Sequence, residues 1–283
     1  MHHVVAIQGE RGSFSEAAAR KLLGSEITVK PCVTFDDVFA AIRAGEAGVA
    51  VIPIENSLAG SVIRNYELLG ASGLEIAGEA LLRIRLSVIG RPGATLQNVR
   101  RVLSHPVALA QCQLFLASLP HVEAVVAHDT AGSVRLIMEQ PRDDEAAIAG
   151  ADAAPIYGAE ILAENIEDHA ENYTRFLLVA PPPLVVELKT QPANKTSLVF
   201  RTPNTPGALF RGLATFALRD INLTKLESRP IAGRPWEYAF YVDVAGAADD
   251  PNVANALRHL GEMCDTVIVL GSYAAAVAAG QDR

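Results

Sequence analysis

The chain has 283 residues, half of them hydrophobic, one fifth charged and 6% aromatic, enough apolar material to bury the cores of two domains and too much for a disordered state. Its 24 basic and 32 acidic residues leave a net charge of −8. No run of Lys or Arg supplies the basic face that holds phosphates, which excludes nucleic acid as a partner.

The apolar segment Val4 to Ile7 is ended by Gln8-Gly9-Glu10-Arg11 too soon for a signal peptide. The longest uncharged stretch, Val267 to Gly280, falls short of the roughly 18 residues that mark a membrane span. The expectation is a cytosolic protein with no membrane partner. Cys32, Cys112 and Cys264 are odd in number and far apart, which fits reduced thiols rather than a disulfide framework. No Cys or His spacing resembles a zinc site.

In chain order, short Val- and Ile-rich runs alternate with longer Ala- and Leu-rich stretches, the pattern of parallel strands joined by helices. Strands are predicted at Val4 to Gln8, Val49 to Pro53, Leu86 to Ile89, Val102 to Ser104, Val122 to Ala127 and Ala146 to Ala149. Helices are predicted at Ser15 to Leu23, Phe35 to Ala44, Val107 to Ser118, Thr130 to Glu139 and Ala153 to Tyr157. At Ala180-Pro181-Pro182-Pro183 the texture changes, and because proline cannot continue a helix the segment reads as a connector. Beyond it come strand 196–201, helix 206–218, strands 222–230 and 236–244, helix 251–260 and strand 264–270. That order, βαββαβ, is a ferredoxin-like module. The tetrapeptide Ala-Gly-Ser-Val occurs at 59–62 and again at 131–134, either a trace of duplication or chance.

The polar residues that invite a chemical reading share one setting, the hand-over from strand to helix where open α/β sheets bind ligands. Gly9-Glu10-Arg11-Gly12-Ser13-Phe14-Ser15-Glu16 allows a tight turn and presents helix-start N–H groups to an anion. Ser13 with Glu16 three residues on is equally a capping box. Pro53-Ile54-Glu55-Asn56-Ser57 sets three polar side chains just past a buried run, which suggests a pocket wall. Ser104-His105-Pro106 and His128-Asp129-Thr130 each fit a helix cap. Glu171-Asn172-Tyr173-Thr174-Arg175-Phe176 instead leads into an apolar run and reads either as a site or as a strand edge with an Arg ion pair. The chain lacks the dinucleotide fingerprint, the phosphate-binding loop, the metalloprotease helix motif and the serine-hydrolase elbow.

Taken together, Gly9 to Glu16, Pro53 to Ser57, Ser104-His105-Pro106 with Gln111-Cys112, and Asn172 to Phe176 resemble the motif series of prephenate dehydratases. The later segments Gly207-Ala208-Leu209-Phe210, Glu227-Ser228-Arg229-Pro230, Trp236-Glu237-Tyr238 and Phe240 to Asp243 resemble their ACT regulatory domain. The resemblance spans nearly the whole chain. It implies an α/β fold: a two-lobed catalytic domain like the type II periplasmic binding proteins over 1–182, then a ferredoxin-like ACT domain over 195–275. Lobe one would take about 1–78 plus 176–182 and lobe two about 79–173.

The implied reaction converts prephenate to phenylpyruvate, carbon dioxide and water in phenylalanine biosynthesis. Decarboxylation supplies the electrons, so neither metal nor other cofactor is expected. By resemblance Thr174 and Glu55 are the catalytic candidates, Thr174 as donor to the departing hydroxyl, directly or through a relay with Glu55 or water. Gly12, Ser13, Asn56, Ser57, His105, Thr130, Arg175 and Phe176 are the substrate-binding candidates. Phenylalanine is the implied effector, with Gly207, Ala208, Leu209, Glu227, Ser228, Arg229 and Pro230 as its candidate residues. Paired ACT modules imply a homodimer or homotetramer. Arogenate dehydratase and a non-catalytic amino-acid-sensing protein are the alternatives. Two departures stand out: Glu10 where the family often has Pro, and Leu82 to Leu86 where many members carry Pro and His.

Overall fold

A computed structural model describes residues 3–140, 142–231 and 233–276; the last residues of the uncharged stretch, 277–280, lie outside them. The contacts divide the chain into two compact units, Met1–Asn65 with Ala80–Leu177, and Tyr66–Glu79 with Leu178–Arg283. Among the described residues no helix is long and apolar enough to cross a membrane.

In chain order the elements are β1 (His3–Gln8), α1 (Phe14–Leu23), β2 (Ile27–Cys32), α2 (Phe35–Arg43), β3 (Val49–Asn56), β4 (Gly60–Ser61), α3 (Ile63–Ser72), β5 (Glu75–Arg83), β6 (Ser87–Gly90) and β7 (Arg101–Ser104). There follow α4 (Pro106–Ala110), α5 (Gln113–Ala117), β8 (Glu123–Val126), α6 (Thr130–Glu139), β9 (Glu145–Ala149), α7 (Ala153–Tyr157), β10 (Glu160–Ala163), β11 (Tyr173–Ala180) and α8 (Pro182–Leu188). The chain ends in β12 (Lys195–Arg201), α9 (Ala208–Ala217), β13 (Leu223–Ile231), β14 (Arg234–Ala245), α10 (Pro251–Met263) and β15 (Thr266–Tyr273).

The first sheet runs β2-β1-β3-β11-β5 with β4 on β3, and β1 pairs in parallel with both β2 and β3. The second runs β10-β6-β9-β7-β8. There β7 is parallel to β8 and β9, while β6 is antiparallel to β9 and to β10. The expectation of an all-parallel pattern is therefore corrected to a mixed sheet. Every residue of β6 and β9 is buried, and a strand buried on both faces reads as the same apolar run whichever way it points.

Two further expectations change. The helix predicted over Val107 to Ser118 is two short helices, because the carboxylate of Asp168 accepts from the N–H groups of both Gln113 and Leu114 at 3.0 Å and starts a new helix there. This cap comes from far along the chain. The proline segment is not merely a connector: Pro182 and Pro183 occupy the first turn of α8, where the missing N–H has no intrahelical partner to lose.

The carboxy-terminal sheet has the order β13-β14-β12-β15 and is antiparallel throughout. With α9 and α10 this is the βαββαβ module that was expected. Its core gathers Leu198, Phe200, Phe216, Val242, Val244 and Leu260. The repeated tetrapeptide is a turn and strand at 59–62 but helix at 131–134, so it marks no structural repeat.

Candidate active site

A cavity of about 380 Å³ opens in the first unit, walled from both of its sheets. From the first come Gln8 and Gly9 after β1, Ser13, Phe14 and Ser15 at the start of α1, Pro53 and Asn56 of β3, and Thr174 and Phe176 of β11. From the second come His105, Val107, Ala108 and Gln111 around α4, and Asp129 and Thr130 at the start of α6. The wall is largely apolar or neutral, and His105 and Asp129 are its ionisable side chains.

Strand geometry decides which residues of β11 face this space. Burial along β11 alternates at its start, with Thr174 and Phe176 buried and Tyr173 and Arg175 less so. Successive side chains of a strand point to opposite faces. Thr174 and Phe176 accordingly line the cavity, and Arg175 is not among its lining residues.

Thr174, 8% exposed, is held by one partner on β3. Asn56 Nδ2 has two hydrogens and donates to Thr174 Oγ1 at 2.9 Å and to Asn172 Oδ1 at 2.8 Å, with the carbonyl of Tyr173 at 3.2 Å sharing one of them. Asn56 Oδ1 in turn accepts from the N–H groups of Leu58 at 3.0 Å and Ala59 at 2.8 Å. Since a backbone N–H only donates, this end of the amide must be the oxygen. Thr174 Oγ1 is therefore an acceptor toward β3, and its own proton is left to point elsewhere.

The helix starts are built by local capping. Ser13 caps α1, accepting from Glu16 N at 3.4 Å. The expected capping box closes differently, because Glu16 reaches back to the N–H of Gly12 at 2.8 Å rather than to that of Ser13. Gly12 thus has its N–H occupied and stands outside the cavity wall. It serves the approach of the first loop to α7, for a Cβ there would lie 2.7 Å from Ala153 Cα, at a φ of +80°. Glu10, the departure from the family pattern, is paired with Arg135 at 3.1 Å, and Tyr157 Oη donates to the carbonyl of Arg11 at 3.0 Å. The other departure leaves Ile84 and Leu86 on the cavity wall, with Arg83 and Arg85 exposed.

His105 caps α4, its Nδ1 accepting from Val107 N at 3.2 Å. Burial holds this imidazole below its ordinary pKa, with Asp129 opposing and His128 reinforcing the shift. The neutral ring then carries its proton on Nε2 and offers a donor. Asp129 caps α6 through Gly132 N–H, and a Cβ on Gly132 would lie 2.7 Å from that carboxylate.

Two more candidates lie outside the cavity wall. Ser57 Oγ donates to the carbonyl of Glu171 at 3.0 Å and accepts from Tyr173 N at 2.9 Å, so its hydroxyl ties down the entry to β11. Glu55 stands outside the wall, opposite Ser61 in the β3–β4 hairpin. Of the ten catalytic and substrate-binding candidates, the cavity brings together Ser13, Asn56, His105, Thr130, Thr174 and Phe176. Sequence reasoning gave no role to Gln111 and Asn172, although both sit inside the quoted motifs. Asn172 is fully buried and donates from Nδ2 to Gln111 Oε1 at 3.0 Å. An Asn two residues before Thr174 is all that the sequence shows there.

Comparison with known proteins places this geometry. The sequence model of the family described as prephenate dehydratase matches residues 5–183, and that of the ACT domain matches residues 196–262. The chain belongs to the prephenate dehydratase family. Its members are lyases of aromatic amino-acid biosynthesis, and the ACT domain is the carboxy-terminal module described above. A similar curated protein is arogenate dehydratase/prephenate dehydratase 2, chloroplastic, of Arabidopsis thaliana, 45% identical over 95% of this chain and 72% of the relative. Among solved structures, the prephenate dehydratase of Arthrobacter aurescens in complex with L-Phe is 36% identical with a TM-score of 0.86, over 96% of this chain and 90% of that one. A solved structure described as GqqA, a quorum-quenching acylase, is 37% identical with the same TM-score, over 96% of this chain and 98% of that one.

In the ACT domain a second cavity of about 220 Å³ is walled by Thr202 to Thr205, Gly207 to Phe210, Trp236 to Tyr238 and Phe240. Gly207 at φ +74° is the residue before α9, and Gly207, Ala208 and Leu209 all reach this cavity. Glu227, Ser228, Arg229 and Pro230 do not. They run along β13, where Glu227 is paired with Lys225 at 3.2 Å and with Arg229. The cysteines are thiols, Cys32 and Cys112 buried and Cys264 partly so. Burial pushes Cys112 up to about 12 and Cys264 up to about 11.

Proposed function

We propose that this chain dehydrates and decarboxylates prephenate to phenylpyruvate, carbon dioxide and water, with Thr174 as the group that assists departure of the ring hydroxyl. The observation that carries the reading is the Asn56 Nδ2 to Thr174 Oγ1 bond. It occupies an acceptor site on the oxygen and leaves the Oγ1 proton to hydrogen-bond the leaving hydroxyl, which departs as water by taking up one proton from solvent while the electrons of the breaking carbon–carboxylate bond aromatise the ring. An aliphatic hydroxyl is a weak acid, so its contribution is a positioned hydrogen bond aimed at developing charge.

The wall suits the rest of the reaction. A carboxylate that must leave as neutral carbon dioxide is hindered by tight ion pairing, and the apolar surface of Phe14, Leu86 and Phe176 gives it a dry setting. The side-chain carboxylate of the substrate fits the helix-start amides near Ser13 and Thr130. In this reading residues 1–182 carry the reaction and 195–275 its control, with phenylalanine bound at the cavity beside Gly207. The protein is placed in the cytosol as a homodimer or homotetramer. Phe210 and Trp236, each 76% exposed on the ACT domain, support such pairing.

A second reading, arogenate as substrate, rests on Asp129, a carboxylate on the cavity wall that can meet an ammonium group. Purified protein given prephenate or arogenate at neutral pH, with and without phenylalanine, tests both. Faster turnover of arogenate reverses the preference, and no product above the spontaneous rate with either substrate removes the enzyme reading.

A further inference from the structure

We infer that Asn172 is a positioning residue which carries the hydrogen-bonding polarity fixed at Asn56 across to Gln111, so that Gln111 presents its amide N–H₂ to the substrate. The inference rests on the prephenate reading above.

Three side-chain amides form one chain, and its direction has a single solution. Asn56 Oδ1 takes two backbone N–H donors, from Leu58 and Ala59, so Nδ2 is the end that faces Asn172. The Asn172 atom that meets it at 2.8 Å must then be Oδ1. That leaves Nδ2 of Asn172 to face Gln111 at 3.0 Å, and the Gln111 atom there must be Oε1. Reversing any one amide sets donor against donor or acceptor against acceptor. Gln111 lines the cavity, and with Oε1 engaged its Nε2 is the end left for substrate.

Asn172 itself is not among the residues lining this cavity. It is fully buried, and its backbone carbonyl accepts from Ile84 N at 2.7 Å, so the amide is anchored on both sides. The backbone of the turn after β3 thereby dictates that the wall offers donors to a dianion. An uncharged residue achieves this where a cation would hold the leaving carboxylate too firmly.

The test is Asn172→Asp. A carboxylate there still accepts from Asn56 but has no donor for Gln111, which is free to turn its oxygen toward the substrate. Burial raises the pKa of such a carboxyl, and its protonated form again has one donor and one acceptor. The expected result is a loss in kcat/KM of about 10- to 100-fold at about pH 8, the range that one misdirected buried hydrogen bond commands. That loss shrinks at least about fivefold, relative to wild type at the same pH, on acidification to about pH 5.5. A uniform loss with no recovery at low pH overturns the inference, as does a variant equal to wild type throughout. Should Asn172→Asp fail to fold by thermal melt, Gln111→Glu decides, since it keeps the acceptor for Asn172 and puts an anionic acceptor in place of the donor facing substrate. It should raise KM about tenfold or more with a smaller change in kcat, and an unchanged KM overturns the inference. If the wild type itself turns over neither prephenate nor arogenate, the functional reading fails instead.

Discussion

Replacing Thr174 by Val keeps the branched shape of the side chain and removes only the hydroxyl, which separates chemistry from packing. On the structural side, Asn56 Nδ2 loses the acceptor at 2.9 Å but keeps Asn172 Oδ1 at 2.8 Å and the Tyr173 carbonyl at 3.2 Å. The amide stays satisfied, and stability should fall by no more than about 1 kcal/mol. The rate should respond far more. A positioned proton or hydrogen-bond donor contributes about 10²- to 10⁴-fold, equivalent to about 3–5 kcal/mol of transition-state free energy. Because the bond to the departing oxygen strengthens only as charge develops there, the loss should sit in kcat and leave KM within about threefold. The assay is phenylpyruvate formation at saturating and limiting prephenate, alongside thermal melting of both proteins. A Val variant with wild-type kcat, or one whose whole defect lies in KM, would refute the assignment of Thr174 as donor. Thr174→Ser, which restores a hydroxyl, should recover most of the rate.

Other expectations follow from the same geometry. Gly12→Ala puts a methyl group 2.7 Å from Ala153 Cα at a positive φ, so it should destabilise by about 2–5 kcal/mol; an unchanged denaturation midpoint would show that the loop yields freely. Glu79, buried with Lys195 at 2.5 Å and accepting from Ala276 N at 2.8 Å, should on replacement by Ala strand a buried ammonium and cost about 3–5 kcal/mol in urea unfolding. Combining it with Lys195→Met should recover much of that loss, and failure to do so would reassign the effect to packing. His105 resists protonation in the folded state because of burial, whereas the unfolded chain takes up the proton near its ordinary value of about 6.5. Stability should therefore fall as pH drops below about 6.5 through the lower folded value. His105→Asn, which keeps a capping acceptor but does not titrate, should lose that part of the slope, and identical pH profiles would refute the cause.

Much of the local structure was legible along the chain. Ser13 and Asp129 cap helices with their own neighbours, and capping is decided within four residues. The strand at Glu75–Arg83 was missed because its Glu79 reads as a surface residue, whereas the structure buries it against Lys195. The helix break at Gln111-Cys112 was missed because its cap, Asp168, is more than 50 residues away. Likewise the tetrapeptide Ala-Gly-Ser-Val makes turn and strand in one place and helix in the other, since four common residues have no preference strong enough to oppose their surroundings.

By itself the sequence determined that there is an α/β catalytic region followed by a βαββαβ module, and that its chemistry-bearing residues lie where strands hand over to helices. Apolar periodicity, caps and motif order are properties of short segments and survive without the fold. Which side chains line the cavity was decided only by tertiary structure. Thr174 and Arg175 are adjacent in every sequence-level reading, but strand alternation sends one into the cavity and the other away from it. Ser57 and Asn56 are adjacent as well, and the Ser57 hydroxyl is consumed by backbone while the Asn56 amide bonds the Thr174 hydroxyl. The polarity of the wall depends on contacts between residues 56, 111 and 172, and a hydrogen bond has a direction only once both of its ends are in place.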